Sequence, residues 1–137
     1  MRRFATPQGC LLALQLAGVA LALAACGEEE VIGRDTAGSC PPTDPPTFAS
    51  FGQQFFTAYC LDCHSQSKTG ADRNDAPVTI DFDTRSLVRE NTSRIDKQAA
   101  FGPAAMNRLM PPADHDTQPT DAERIRLGEY IGCEIGR

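Results

Sequence analysis

The chain contains no tryptophan, two tyrosines and only two histidines, His64 and His115. Without tryptophan, and with a polar middle, it has little from which to build an independent hydrophobic core. Any metal site needing paired imidazoles would have to use both histidines. Basic residues are also scarce, 13 Lys and Arg against 18 Asp and Glu, for a formal net charge of −5. That balance argues against a nucleic-acid partner. No internal repeat and no nucleotide-binding fingerprint is visible. The longest apolar run, Leu11 to Ala25, is interrupted by Gln15 and Gly18. It is too short and too alanine-rich to make a good membrane span.

The same run has the layout of an export signal. Arg2 and Arg3 precede it, and it ends in Leu23-Ala24-Ala25-Cys26. A positive start, an apolar stretch and a small-residue cleavage site define a secretory signal. The last four residues look like a bacterial lipobox, which implies cleavage before Cys26 and a lipid on its sulfur. The alternative is an ordinary signal with a chance cysteine at the cleavage site. Gly27 rather than Asp follows the cysteine. By resemblance to such lipoproteins, that favours the outer membrane over the inner one. Of the 137 residues, loss of the first 25 leaves 112, enough for one domain and a tether. Losing Arg2 and Arg3 leaves 11 basic residues against 18 acidic ones, a formal −7. A partner with a basic docking patch would complement it.

Cys60-Leu61-Asp62-Cys63-His64 carries the most chemistry. C-x-x-C-H is the attachment sequence for c-type haem. Two thiols can add to the two vinyl groups of one haem, and the next imidazole then reaches the iron as the proximal ligand. One motif implies one haem c per chain. A haem would also supply the apolar plate that the small core lacks, so the domain is expected to fold poorly without it.

Six cysteines can then be assigned by exclusion. Cys10 leaves with the signal, Cys26 takes lipid, and Cys60 and Cys63 take haem. Cys40 and Cys133 remain. In an exported protein two leftover cysteines read as a disulfide; the alternative is two unpaired buried thiols. Closing a loop of that length is worth roughly 4–5 kcal/mol in the chain-entropy account.

The organisation follows from proline and aromatic spacing. Residues 27–46 hold an acidic triplet, Glu28 to Glu30, then Gly, Ser, Thr and Pro. Pro41, Pro42, Pro45 and Pro46 sustain neither helix nor central strand. The segment reads as a solvated tether that could hold a domain tens of ångströms from a membrane. The boundaries are thus 1–25 signal, 26–46 lipid anchor and tether, and 47–137 domain. Thr47 is a good N-cap after the prolines. Phe48, Phe51, Phe55, Phe56 and Tyr59 follow at spacings of three and four, one apolar helical face. Residues 65–83 read as loop. Short helices are expected at 84–89 and 93–100, then a break at Phe101-Gly102-Pro103, then one or two turns over 104–109. The capping box Thr120-x-x-Glu123 opens the last helix, with Leu127, Gly128, Tyr130 and Ile131 on its inner side.

Over about residues 47–133 the chain resembles the class I cytochromes c, and within them small bacterial mono-haem domains, including lipoprotein forms. In that family a Gly and an aromatic precede the first haem cysteine by eight and four residues; here they are Gly52 and Phe56. A Leu and an aromatic three apart lie on its last helix; Leu127 and Tyr130 match. The resemblance implies an all-α fold of about three to five helices around one covalently bound haem, with the terminal helices crossing. It implies a sixth ligand from the loop holding Met110-Pro111-Pro112. A thioether suits ferrous iron and raises the reduction potential. Met106, expected on a helical turn facing the core, and His115, expected on the surface, are the competitors. A Pro carbonyl in that family accepts the proximal imidazole's N–H; Pro77 stands near that place, one residue from the usual spacing. The segment from His64 to Met110 is shorter than in better-known members, which implies a more exposed haem edge. Arg94, Lys97 and Arg108 are candidates for the propionates.

Four functions compete. A non-catalytic electron carrier with redox protein partners leads. A sensor or peroxidase-like enzyme would leave the sixth site open. A haem subunit of a larger respiratory complex would have a permanent partner. A non-haem use of the motif would need either a fourth zinc ligand or a preceding strand in a βαβ unit.

Overall fold

Helix begins where the prolines end. The computed structural model describes residues 32–137. The signal sequence, Cys10 and the lipidation expected at Cys26 lie outside the described residues. Thr47 caps the first turn: its hydroxyl accepts from the Ser50 N–H, and the Ser50 hydroxyl accepts from the Thr47 N–H. A wide turn, Phe48–Gly52, runs directly into α1, Gln53–Tyr59. A short tight turn, Gly70–Arg73, interrupts the loop that follows. Thr84 caps α2, Arg85–Glu90, and α3 is Thr92–Ala99. The Thr120/Glu123 capping box opens α4, Asp121–Ile135. Gly136 ends it with φ +71°, a conformation that needs no Cβ. The described residues are helical with no strand; one isolated bridge joins Phe101 to Met106. No helix among them is long and apolar enough to cross a membrane.

The two ends of the helical region cross at Gly52. A Cβ there would stand 3.1 Å from Phe48 Cδ2 and 3.2 Å from Tyr130 Cζ. The Tyr130 ring lies 6.0 Å from Phe51 and 6.2 Å from Phe56, centroid to centroid. Hydrogen at position 52 therefore lets the aromatics of α1 and α4 meet. The core continues through Phe82, Val88, Ile95 and Leu127.

Residues 104–109 do not form the expected helical turns. Their donors bond elsewhere: Ala104 N–H to Thr36 O at 2.9 Å, Asn107 N–H to Ala100 O at 3.0 Å, and Leu109 N–H to Gln98 O at 2.9 Å. A helix would need those groups for its own ladder.

The segment expected to be a solvated tether packs down over its described part, 32–46. Thr36 is fully buried, and both its N–H and its hydroxyl donate to the buried Asp96 carboxylate on α3. The Asn107 side chain accepts from the Arg34 N–H at 3.2 Å and donates to the Arg34 carbonyl at 2.7 Å. Cys40 and Cys133 form a disulfide that fixes this strap to α4. Proline forbids helix here, but it does not forbid burial of an extended chain. Glycines admit the strap. A Cβ on Gly38 would meet the Gly128 carbonyl oxygen at 2.5 Å, and one on Gly132 would meet the Ser39 carbonyl carbon at 2.7 Å. Residues from Gly33 to Pro46 thus pack against the region that the sequence expects to begin at Thr47.

A Cβ on Gly128 would stand 2.1 Å from the Phe101 carbonyl oxygen, a backbone atom that cannot rotate aside. Gly128→Ala should destabilise the fold by about 1–3 kcal/mol or more, as overpacking does. Denaturant unfolding checks this, and an unmoved midpoint would disprove the contact.

Candidate functional site

A turn at the end of α1 turns the motif inward. The N–H groups of Cys60 and Leu61 both donate to Phe56 O, and the His64 N–H donates to Cys60 O at 2.8 Å. Cys60, Cys63 and His64 consequently line one cavity of about 340 Å³, together with Met110. Phe56, Ile80, Ile95 and Ala99 supply much of its apolar wall. The four residues expected to hold a haem therefore share one cavity.

His64 is fixed by its ring and by its chain. Its Nδ1 lies 2.9 Å from the Ile80 carbonyl oxygen. A carbonyl can only accept, so Nδ1 carries the proton, and in the neutral ring Nε2 keeps its lone pair. The Phe82 ring packs 5.0 Å from the imidazole, and the Phe82 N–H donates to His64 O at 3.0 Å. Burial lowers the His64 pKa; the Ile80 hydrogen bond opposes that shift, and the Arg73 charge reinforces it. A neutral imidazole with a free Nε2 is the form that binds metal.

The acceptor is Ile80, not Pro77. Pro77 does line the cavity, but its carbonyl is taken by Arg73 Nη2 at 2.7 Å and by the Ile80 N–H at 3.1 Å. Arg73 had no signal in the sequence. It is 3% exposed and reaches Ser65 O at 2.8 Å, Ala76 O at 3.1 Å, Ile80 O at 3.2 Å and Asp81 Oδ1 at 2.8 Å. One guanidinium thus folds the 65–81 loop beneath the imidazole. An Arg and an Asp eight apart in a polar loop match no periodicity.

Cys60 and Cys63 are free thiols. Cys60 keeps some surface toward the cavity, yet protein surrounds it closely. Burial pushes its thiol up to about 12, opposed by the nearby Arg124 charge. A thiol so held is poorly suited to act as a thiolate nucleophile. A thioredoxin-like reading lacks its strand, since α1 precedes the motif. Among the described residues no three His, Cys, Asp or Glu side chains are grouped to hold a metal ion. The zinc reading thus lacks a donor set there.

Three side chains were candidates to face His64. Met110 lines the cavity and is 39% exposed. Its N–H donates to Gln98 O at 2.9 Å, and its peptide bond to Pro111 is cis. Met106 is 64% exposed and does not line the cavity. Its expected core-facing position depended on a helix that does not form. His115 corrects the expectation in the other direction: its side chain is only 15% exposed and it also lines the cavity. Its Nδ1 lies 2.9 Å from Thr117 O, and its Nε2 is 3.9 Å from Asp62 Oδ2.

Of the three basic candidates for carboxylate recognition, Arg94 lines the cavity and the other two do not. Arg108 pairs with Asp121 at 2.7 Å and stacks 4.7 Å from the Phe101 ring centroid. Lys97 lies by the strap, where its carbonyl approaches Gly33. The chain matches no protein-family model, no curated protein and no solved structure.

Arg73→Ala leaves the Asp81 carboxylate buried and unpaired and frees the carbonyls beneath His64. Loss of one partner from such a pair should cost about 3–5 kcal/mol. Chemical denaturation measures it; a loss near zero would show that the loop holds without the guanidinium.

Proposed function

We propose that this protein is a mono-haem c-type cytochrome that carries electrons in the bacterial periplasm, tethered to a membrane by lipid at Cys26, with the outer membrane favoured. The observation that carries this reading is His64. Its Nδ1–H is held by Ile80 O at 2.9 Å, so its Nε2 is left to ligate, in a cavity shared with both motif thiols and Met110.

The residues present fit the group. Cys60 and Cys63 would form the two thioether links, His64 the proximal bond and Met110 the sixth. The apolar wall suits the faces of a porphyrin, and Arg94 also lines the cavity, where a propionate would meet it. Bound haem supplies a one-electron couple. The protein's own part is to hold the ligands and exclude water. The Ile80 hydrogen bond orients the imidazole and strengthens its donation. Met110, a soft donor, would stabilise ferrous iron and raise the potential. With His64 and Met110 both held to the iron, small molecules would have no site to occupy, which suits transfer rather than turnover.

The fold supports the same reading: an all-α domain whose first and last helices cross at Gly52 and Tyr130, where class I cytochromes c carry the matching residues. The acidic mature chain suits a basic redox partner and not a nucleic acid. A second reading is favoured by His115, whose place on the cavity wall makes it a possible alternative sixth ligand. It would give bis-histidine transfer, or an exchangeable site for a sensor or peroxidase-like enzyme. Service as the haem subunit of a larger complex would be compatible with either.

Optical spectra of the periplasmically matured protein test the proposal. A covalent c-type spectrum with a weak ferric band at the red edge is expected. Met110→Ala should keep the haem attached, lower the potential and let carbon monoxide bind the reduced form. His115→Ala should change none of these. Loss of low-spin character in His115→Ala alone would transfer the sixth position to His115. No covalent haem at all would sink the proposal.

A further inference from the structure

Arg124 lies on α4 with 1% of its surface exposed. Its Nη1 donates to Ala99 O at 2.9 Å, Asn107 O at 3.3 Å and Met110 O at 2.8 Å. Its Nη2 donates to the Gln118 amide oxygen at 3.2 Å, and Gln118 Nε2 donates to Pro112 O at 2.7 Å. Arg124 and Gln118 together thus hold the Met110 and Pro112 carbonyls, at both ends of the loop that presents the Met110 thioether. All these acceptors are neutral oxygens, and the buried Nε has no hydrogen-bond partner. Burying a guanidinium this way is costly. An apolar side chain would fill the same space without that cost, but it could not gather three carbonyls. Ala99 and Met110 both line the cavity, so the guanidinium that bonds their carbonyls stands directly behind its wall.

We infer that Arg124 is the positioning residue for the sixth ligand: it clamps the Met110 main chain to the end of α3 and sets a buried positive charge beside the cofactor wall. The inference rests on the reading of Met110 as an iron ligand. The two actions are separable. The clamp decides whether the thioether stays in place. The charge would disfavour the more positive, oxidised state of a bound iron and so raise its potential. Arg124→Lys keeps the charge but cannot fork to several carbonyls at once. Arg124→Met removes both. Gln118→Ala removes only the outer brace, at an exposed residue where the fold is not at stake.

The experiment compares these three variants with the wild-type haem protein. It reads the ferric red-edge band, the reduction potential, carbon monoxide binding to the reduced form, and hydrogen exchange at the Met110 amide. Arg124→Met should lose the band in part, gain carbon monoxide binding and fall in potential. Amide protection should drop roughly tenfold, the size of one lost charge-assisted hydrogen bond. Arg124→Lys should show the same loosening with a smaller fall in potential, and Gln118→Ala a weaker form of the loosening alone. A folded Arg124→Met with band, potential and protection unchanged overturns the inference. If that variant does not fold, unchanged protection in both Arg124→Lys and Gln118→Ala overturns it. A wild-type protein without methionine ligation overturns the earlier reading and the ligand half of this one. Amide protection in the variants then still decides whether Arg124 holds the loop.

Discussion

The Ile80 carbonyl accepts from His64 Nδ1 and from Arg73 Nη2. Through this shared oxygen a ring and a loop hold each other in place. Without it the imidazole could rotate about its bonds, and its proton could sit on either nitrogen. With it, Nε2 keeps the lone pair and has one direction in which to offer it. The acceptor also lies between Phe82, which packs on the ring, and Pro77, whose carbonyl Arg73 occupies. The cavity floor is therefore defined by hydrogen bonds among irregular segments more than by any helix.

The loop that carries Met110 uses the same device. Short helices leave many carbonyls without ladder partners, and two buried guanidiniums collect them. Arg73 serves the loop below His64, with Asp81 to balance its charge. Arg124 serves the loop that carries Met110, with neutral oxygens as partners. An arginine is suited to this because its donors lie in a fixed plane and fan outward. In a chain without tryptophan, such buried forks replace part of what a larger apolar core would do.

The strap ties these parts together from outside. It bonds to Asp96 on α3, to Asn107 before the Met110 loop and, through the disulfide, to Cys133 on α4. Asn107 also bonds to the carbonyl of Asp96, so strap, α3 and loop meet at one side chain. If Cys26 carries a lipid as proposed, few residues separate the anchor from the point where the chain docks.

Sequence alone determined what depends on near neighbours along the chain. Thr47 and Thr120 start helices because a side-chain oxygen three residues away satisfies an exposed N–H group. The phenylalanines declare one face because helical spacing puts them there. Cys60, Cys63 and His64 point to the proposed haem attachment because their spacing has few other uses. Gly52 and Tyr130 pointed to the crossing through resemblance, and Cys40 with Cys133 through elimination. Only the tertiary structure decided which carbonyl holds His64, why Arg73 and Arg124 are buried, how the strap lies down, and that His115 rather than Met106 shares the cavity with Met110. Those outcomes rest on hydrogen bonds between segments far apart in sequence. Such bonds leave no period or cap to read, because the folded chain alone brings their partners within reach.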